Sequence, residues 1–213
     1  MLSTSFALPT TAIIKPPSIG CGRMGSRASS ASGRRQRRLS RSTTTDENGA
    51  CLYQNVRFEP KDFRQRHSDG NGGWIWKGPE RPVPYKLPEL IKSGNAPVLL
   101  AGGEKDVDNL LNLELVATTN HGGEGKWWPE LTPYLKDRRV FILCDNDEQG
   151  EKHQQVVGAA LKDVVKELRV VRFPELPEKG DVSDFIKLRL DDGLDTEAIK
   201  KLLYQRFREA PAW

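Results

Sequence analysis

The chain has 213 residues, 37% of them apolar and 29% charged, enough for one modest core beneath a polar surface. No run approaches the roughly 18 apolar residues that would span a bilayer, so membrane partners are not expected. The net charge of +4 hides a division. Residues 1–45 hold Lys15, seven arginines and no acid, a segment charge of +8 that leaves the remainder at −4. Basicity therefore belongs to the tail and says little about the partners of the folded part. Cys21, Cys51 and Cys144 are scattered and form no CxxC pair, which excludes a disulfide framework or zinc ribbon and predicts a reducing, cytoplasmic setting.

Residues 1–45 are rich in Ser, Thr and Arg without an apolar period and read as a disordered basic tail. Two sharper readings compete with it. Acid-free Arg/Ser-rich N-termini look like organelle transit peptides, and Arg34-Arg35-Gln36-Arg37-Arg38 suits a nucleic-acid-binding arm. A start placed too early would look the same.

Residues 46–96 predict a small β-rich segment and linker. Leu52 to Phe58 alternates imperfectly as a strand, Asp69-Gly70-Asn71-Gly72-Gly73 is turn chemistry, and Trp74-Ile75-Trp76 follows as a short aromatic strand. Lys61, Arg64 and Arg66, with Trp74 and Trp76, either grip a nucleic-acid backbone or form a solvated strand edge. Pro82, Pro84 and Pro88 punctuate the linker into a short helix, Pro88 to Lys92, stopped by Gly94-Asn95.

From Pro97 strands and helical segments alternate. Val98 to Ala101, Val116 to Thr119, Arg139 to Cys144 and Leu168 to Phe173 read as strands. Gly150 to Lys166 reads as a helix with Val156, Val157, Ala160, Leu161, Val164 and Val165 inward, and Thr196 to Arg208 as a last helix. Alternation of this kind predicts an α/β domain over 97–190, a four-stranded parallel sheet flanked by helices, with residues 191–213 as a C-terminal helical segment.

Ligands of open parallel sheets gather beyond the carboxyl ends of the strands. Three clusters fall there: Gly102-Gly103-Glu104-Lys105-Asp106, Asp145-Asn146-Asp147-Glu148 and Gly180-Asp181-Val182-Ser183-Asp184. In extended backbone, Asp145 and Asp147 at i, i+2 point to one side and repel unless a cation lies between them. Mg²⁺ suits such a pair, with Mn²⁺ as a substitute, because it takes one or two carboxylates and completes its octahedron with water and substrate phosphate. The plainer reading is an Asx turn and helix cap. Lys105 and Asp106 are expected to pair; Asp181 and Asp184 either add contacts to the metal or its surroundings, or Asp184 caps a helix beginning at Phe185. In the loop Asn120 to Trp128, Lys126 is either a phosphate contact or part of a glycine turn, whereas Trp127 or Trp128 is expected to plug the core edge. Cys144 reads as a small buried hydrophobe.

These four ordered motifs, Val98 to Asp106, Ala117 to Trp127, Ile142 to Gly150 and Gly180 to Phe185, resemble the Toprim domain of primases and primase-helicases of phages and mobile elements. The segment Leu52 to Leu90 is similar to what precedes that domain there. The resemblance implies a Toprim-like parallel sheet and Mg²⁺-dependent nucleotidyl or phosphoryl transfer on DNA, in replication of a mobile element. It implies a single-stranded template and nucleotides as substrates and a replicative helicase as partner. Asp145 and Asp147 match the family's metal-binding DxD pair. The family's first motif opens with a glutamate thought to act as acid/base; here Gly102 stands in its place. Glu104, two residues on, is the substitute candidate. The departure favours slow or absent turnover, so a silent DNA-binding or assembly module and a Toprim nuclease are the rival readings. The zinc-binding module and helicase phosphate loop of related proteins have no counterpart motif in this sequence.

Overall fold

The computed structural model describes residues 37–60, 62–122 and 125–213, all within one compact unit, Arg35–Trp213. An antiparallel meander comes first: β1 (Arg37–Thr45), β2 (Cys51–Glu59), β3 (Asp62–Ser68) and β4 (Trp74–Ile75), in that order, with aspartate turns between β1 and β2 and between β3 and β4. The turns use the same chemistry. Asp46 Oδ1 accepts from the amides of Asn48 and Ala50 at 2.9 and 2.8 Å, and Asp69 Oδ1 from those of Asn71 and Gly73 at 2.8 Å each. The tail expected to run to Thr45 therefore ends earlier, because Arg37–Thr45 pairs along β2. Alternating Arg, Ser and Thr can satisfy a ladder with little apolar content, which is why its composition hid the strand. Residues 1–36 lie outside the described residues, and with them Arg34, Arg35 and Gln36 of the alternative basic arm, whereas Arg37 and Arg38 open β1.

After the short α1 (Leu87–Lys92) comes the parallel sheet: β5 (Val98–Leu100), β6 (Ala117–Thr118), β7 (Arg139–Leu143) and β8 (Glu167–Val171), ordered β6-β5-β7-β8. The expected α/β architecture is present. Helix α2 (Glu104–Asn112) links β5 to β6 and α3 (Glu148–Leu161) links β7 to β8, while a 3-10 segment, Pro129–Leu135, lies in the β6–β7 crossover. Helices α4 (Val182–Asp191) and α5 (Thr196–Glu209) follow.

Period-two alternation divides the core. Leu99, Phe141, Leu143 and Val171 face α2, α4 and α5, packing with Val107, Leu110, Phe185, Ile199 and Leu203. Val98, Leu100, Val140, Ile142 and Leu168 face the opposite side, with Leu90, Leu135, Val157 and Leu161. Helix α3 buries a narrower stripe than expected: Val157 and Leu161 turn inward with His153, Gln154 and Gly158, but Val156 is exposed. The helix ends at Leu161, short of Val164 and Val165.

Both sheet edges are covered. The Tyr85 amide donates to the Thr119 carbonyl at 3.0 Å beside β6. Beside β8, the Val170 amide donates to Pro211 at 3.2 Å and the Trp213 amide to Leu168 at 3.0 Å. The Trp213 ring fills the space over Gly158, where a Cβ would lie 2.5 Å from it. Among the described residues no helix is long and apolar enough to cross a membrane.

Candidate functional site

The strand order reverses between β5 and β7: the chain leaves β5 toward β6 on one side and leaves β7 toward β8 on the other. Their following helices lie on opposite faces, which opens a crevice at the carboxyl ends of these two strands. Gly102-Gly103-Glu104 rims it from β5 and Asp145-Asn146-Asp147 from β7. The candidate residues thus stand where a parallel sheet binds ligands.

Asp145 is partly buried immediately beyond β7. Asp147 caps α3, its Oδ1 accepting from the Gly150 amide at 2.8 Å. The capping reading is therefore realised, with one carboxylate oxygen used. Gly150 is required by a close approach: a Cβ there would lie 2.4 Å from the Asp145 carbonyl oxygen. Asn146 faces the other way and ties this loop to the next. Its Nδ2 donates to the Leu176 carbonyl at 2.7 Å, its amide to Gly180 at 3.0 Å, and its carbonyl accepts from the Lys179 amide at 3.0 Å. This clamp was not visible in sequence, because its partners are backbone groups thirty or more residues away.

The donor set fits a hard cation that brings its own water. Asp145 and Asp147 supply only carboxylate oxygens, and Glu148 is directed along α3 to Lys152 at 2.6 Å. Among the described residues no group of three or more His, Cys, Asp or Glu side chains is placed to hold a metal. Two carboxylates without a third protein ligand match Mg²⁺ or Mn²⁺ far better than a zinc site.

The third loop is committed to architecture. Asp181, not the expected Asp184, caps α4 by accepting from the Asp184 amide at 2.8 Å, and Asp184 Oδ2 in turn accepts from the Asp181 amide at 3.2 Å, because the helix begins at Val182. Lys105, expected to pair with Asp106, instead reaches Asp181 at 3.0 Å. Asp106 points inward, where it accepts from the Ser183 hydroxyl, which in turn accepts from Asn109 Nδ2 at 2.8 Å. Burial pushes the Asp106 carboxyl up to about 6, against the opposing pull of the Ser183 hydrogen bond.

Glu104 opens α2 and turns away toward the meander, where its Oε1 accepts from Asn55 Nδ2 on β2. It lines a cleft of about 590 Å³ between the two sheets, together with Asn55, Phe63, Arg64, Gln65 and Trp76. Gly102, Gly103 and Gly122 form part of the same wall. Arg64 is thus brought to the strand-end loops, exposed and paired with Asp62 at 2.8 Å. Arg66 is not. It is 7% exposed, donates twice to Gln54 Oε1 at 2.8 and 3.0 Å, and lies 4.0 Å from the Trp74 ring centroid and 5.3 Å from that of Trp76. Its charge is spent inside the meander rather than offered to phosphate. Lys61 lies outside the described residues. Sequence reasoning missed Asn55 and Gln65, whose only signal was that each shares a strand face with an aromatic two residues away, Tyr53 and Phe63.

Lys126 is exposed beside Gly122. The tryptophans near it are structural, as expected: Trp127 packs on the core and donates to Thr132 Oγ1 at 3.0 Å, and Trp128 stacks on His121 with centroids 4.4 Å apart. The loop is fastened to α3 by the Gly125 amide donating to His153 Nδ1 at 3.0 Å. Burial holds His121 and His153 down to about 4 each. Neither His121 Nδ1 nor His153 Nε2 meets a hydrogen-bond partner among the described residues. Cys144 is buried in the core, as expected.

No protein-family model matches the chain, and no curated protein matches it either. Solved structures do. One holds the bacteriophage T7 lagging-strand DNA polymerase with primase domains of two gp4 subunits bound to an RNA/DNA hybrid and dTTP; identity is 16%, the TM-score 0.54, and the match covers 81% of this chain and 78% of that one. The DnaG catalytic core is 17% identical with a TM-score of 0.56, covering 82% of this chain and 53% of that one. A DNA primase domain from Pseudomonas aeruginosa is 15% identical with a TM-score of 0.56, covering 81% and 51%. This chain spans about half the length of the latter two. At such identities the likeness establishes architecture: the fold is that of a primase catalytic core.

Proposed function

We propose that the chain is a Toprim-type, primase-like module that handles nucleic-acid phosphates at the crevice between β5 and β7. The observation that carries this reading is the pair Asp145 and Asp147 at the carboxyl end of β7, beside the point where strand order reverses. The two carboxylates would hold Mg²⁺ or Mn²⁺. When bound, the cation would neutralise charge on phosphoryl oxygens during nucleotidyl transfer. Asn146 and Gly150 keep the loop in place, and Lys126 and Arg64 offer positive charge near its approaches. Single-stranded DNA and nucleotides are the substrates this site would take, with a replicative helicase as companion in a mobile-element setting.

Gly102 favours a second reading, a module that binds DNA without turning it over. Its position supplies no acid/base, and Glu104 is held by Asn55 on the meander side instead of filling the gap. Gly102→Glu separates the two. With single-stranded template, labelled nucleotides and Mg²⁺, the variant is expected to raise synthesis at least tenfold over the parent chain. A folded variant with no gain, alongside retained DNA binding, would favour the silent module; cleavage of labelled DNA in a parallel assay would point to a nuclease.

A further inference from the structure

We propose that the cleft between the meander and the β5 loop is a pocket for one unpaired nucleobase bearing an exocyclic amino group, read by Glu104. The proposal rests on the nucleic-acid reading above and adds what the cleft selects. Asn55 and Gln65 are register partners on β2 and β3, and Phe63 lies two residues along on the same face. The opposite wall is Gly102, Gly103 and Gly122, where no side chain holds a flat group off the backbone. A volume of about 590 Å³ falls within the range of small-ligand pockets.

Two residues lining this cleft carry exposed rings, Phe63 at 59% and Trp76 at 50% exposure, with the Arg57 guanidinium 5.7 Å from the Phe63 ring centre. Such surface costs free energy unless something covers it. Trp76 is also fixed from behind. Phe58 lies 5.9 Å away, centroid to centroid, and the buried Arg66 guanidinium 5.3 Å from the ring centre. A braced ring with an open side is a stacking platform ready before its partner arrives, and stacking accepts any base.

Selectivity comes from Glu104. A carboxylate in the pocket repels phosphate and accepts hydrogen bonds, so the group it faces must donate. Adenine, cytosine and guanine present amino hydrogens on their pairing edges. Thymine presents carbonyl oxygens around a single imino N–H, which a carboxylate disfavours. Asn55 holds the carboxylate in place. Arg64 and Lys77 line the same cleft and can take the flanking phosphates.

The test is fluorescence anisotropy with labelled twelve-nucleotide oligo-dA, oligo-dC and oligo-dT, in EDTA so that the acidic loop is not required. The full chain is expected to bind oligo-dA and oligo-dC at least about fivefold more tightly than oligo-dT. Phe63→Ala, at an exposed position, and Trp76→Ala should each weaken oligo-dA binding by about 5- to 100-fold. Glu104→Gln should bring the three oligonucleotides within about twofold of one another. Thermal melts of each variant identify any that lose the fold, and Phe63→Ala alone keeps the test decisive. Equal affinities in the parent chain, or tight binding indifferent to Phe63→Ala, would overturn the pocket and leave the primase-like reading standing. Binding of no oligonucleotide in EDTA would likewise overturn the pocket, and the Mg²⁺-dependent synthesis assay would then judge the primase-like reading by itself.

Discussion

The acidic crevice and the meander cleft lie on either side of the same β5 loop, yet they spend their polar groups in opposite ways. In the crevice, most carboxylates are occupied by the fold. Asp147 caps α3, Asp181 and Asp184 cap each other's amides, and Asp106 is bonded to Ser183. In the cleft, Phe63 and Trp76 keep exposed rings, while Arg66, buried in the meander beside it, is committed to Gln54 and packs against Trp74 and Trp76. On the proposed reading, the difference teaches that cation holding and strand gripping would be separable functions of two neighbouring regions. If Gly102 stands for a lost acid/base, as proposed, its absence would silence the first region without touching the second.

The sharpest way to break that separation is Gly150→Ala. Its Cβ would meet the Asp145 backbone at 2.4 Å, where no flexible side chain can yield. The α3 start and the acidic loop must shift, at a cost of about 2–3 kcal/mol in urea unfolding. Oligonucleotide binding at the cleft should survive below the transition. An unchanged urea midpoint would mean that the loop does not rest on the helix as described.

A smaller effect is expected from pH. His121 and His153 are held near 4 in the folded chain against an ordinary value of 6.5. Their neutral forms stabilise the fold, fully above pH 6.5, and that contribution is lost as pH falls toward 4. Protonating His153 at Nδ1 also removes the acceptor for the Gly125 amide. Asp106 acts in reverse: raised from 3.8 to about 6, it favours the fold below pH 3.8 and loses that contribution as pH rises through 6. The two trends oppose each other between pH 4 and 6. Asp106→Asn should therefore make stability fall more steeply on acidification than in the parent chain, read from urea midpoints across that window. A parallel or shallower dependence would remove Asp106 from this balance.

The parallel sheet was legible in sequence because its strands are short apolar runs between turn residues, and the period-two split of Leu99, Phe141 and Leu143 from Leu100, Val140 and Ile142 follows from that pattern alone. The location of Asp145 and Asp147 was legible for the same reason. What stayed hidden depends on distant partners. Arg37–Thr45 is a strand only because β2 lies beside it, Lys105 chose Asp181 over its neighbour Asp106, and Arg66 was drawn inward by Gln54 and two tryptophans. Charge read along a chain does not say which face it will occupy. The cleft was invisible too, since its walls come from residues 55–78 and 102–122 and no local spacing joins them.

The two aspartates beyond β7 are tested most directly by Mn²⁺ titration followed by electron paramagnetic resonance. The parent chain should bind one Mn²⁺, and Asp145→Asn, which keeps the side chain's size, should weaken that binding about tenfold or more. Equal affinities in the two proteins, with both folded, would contradict a cation site at Asp145 and Asp147.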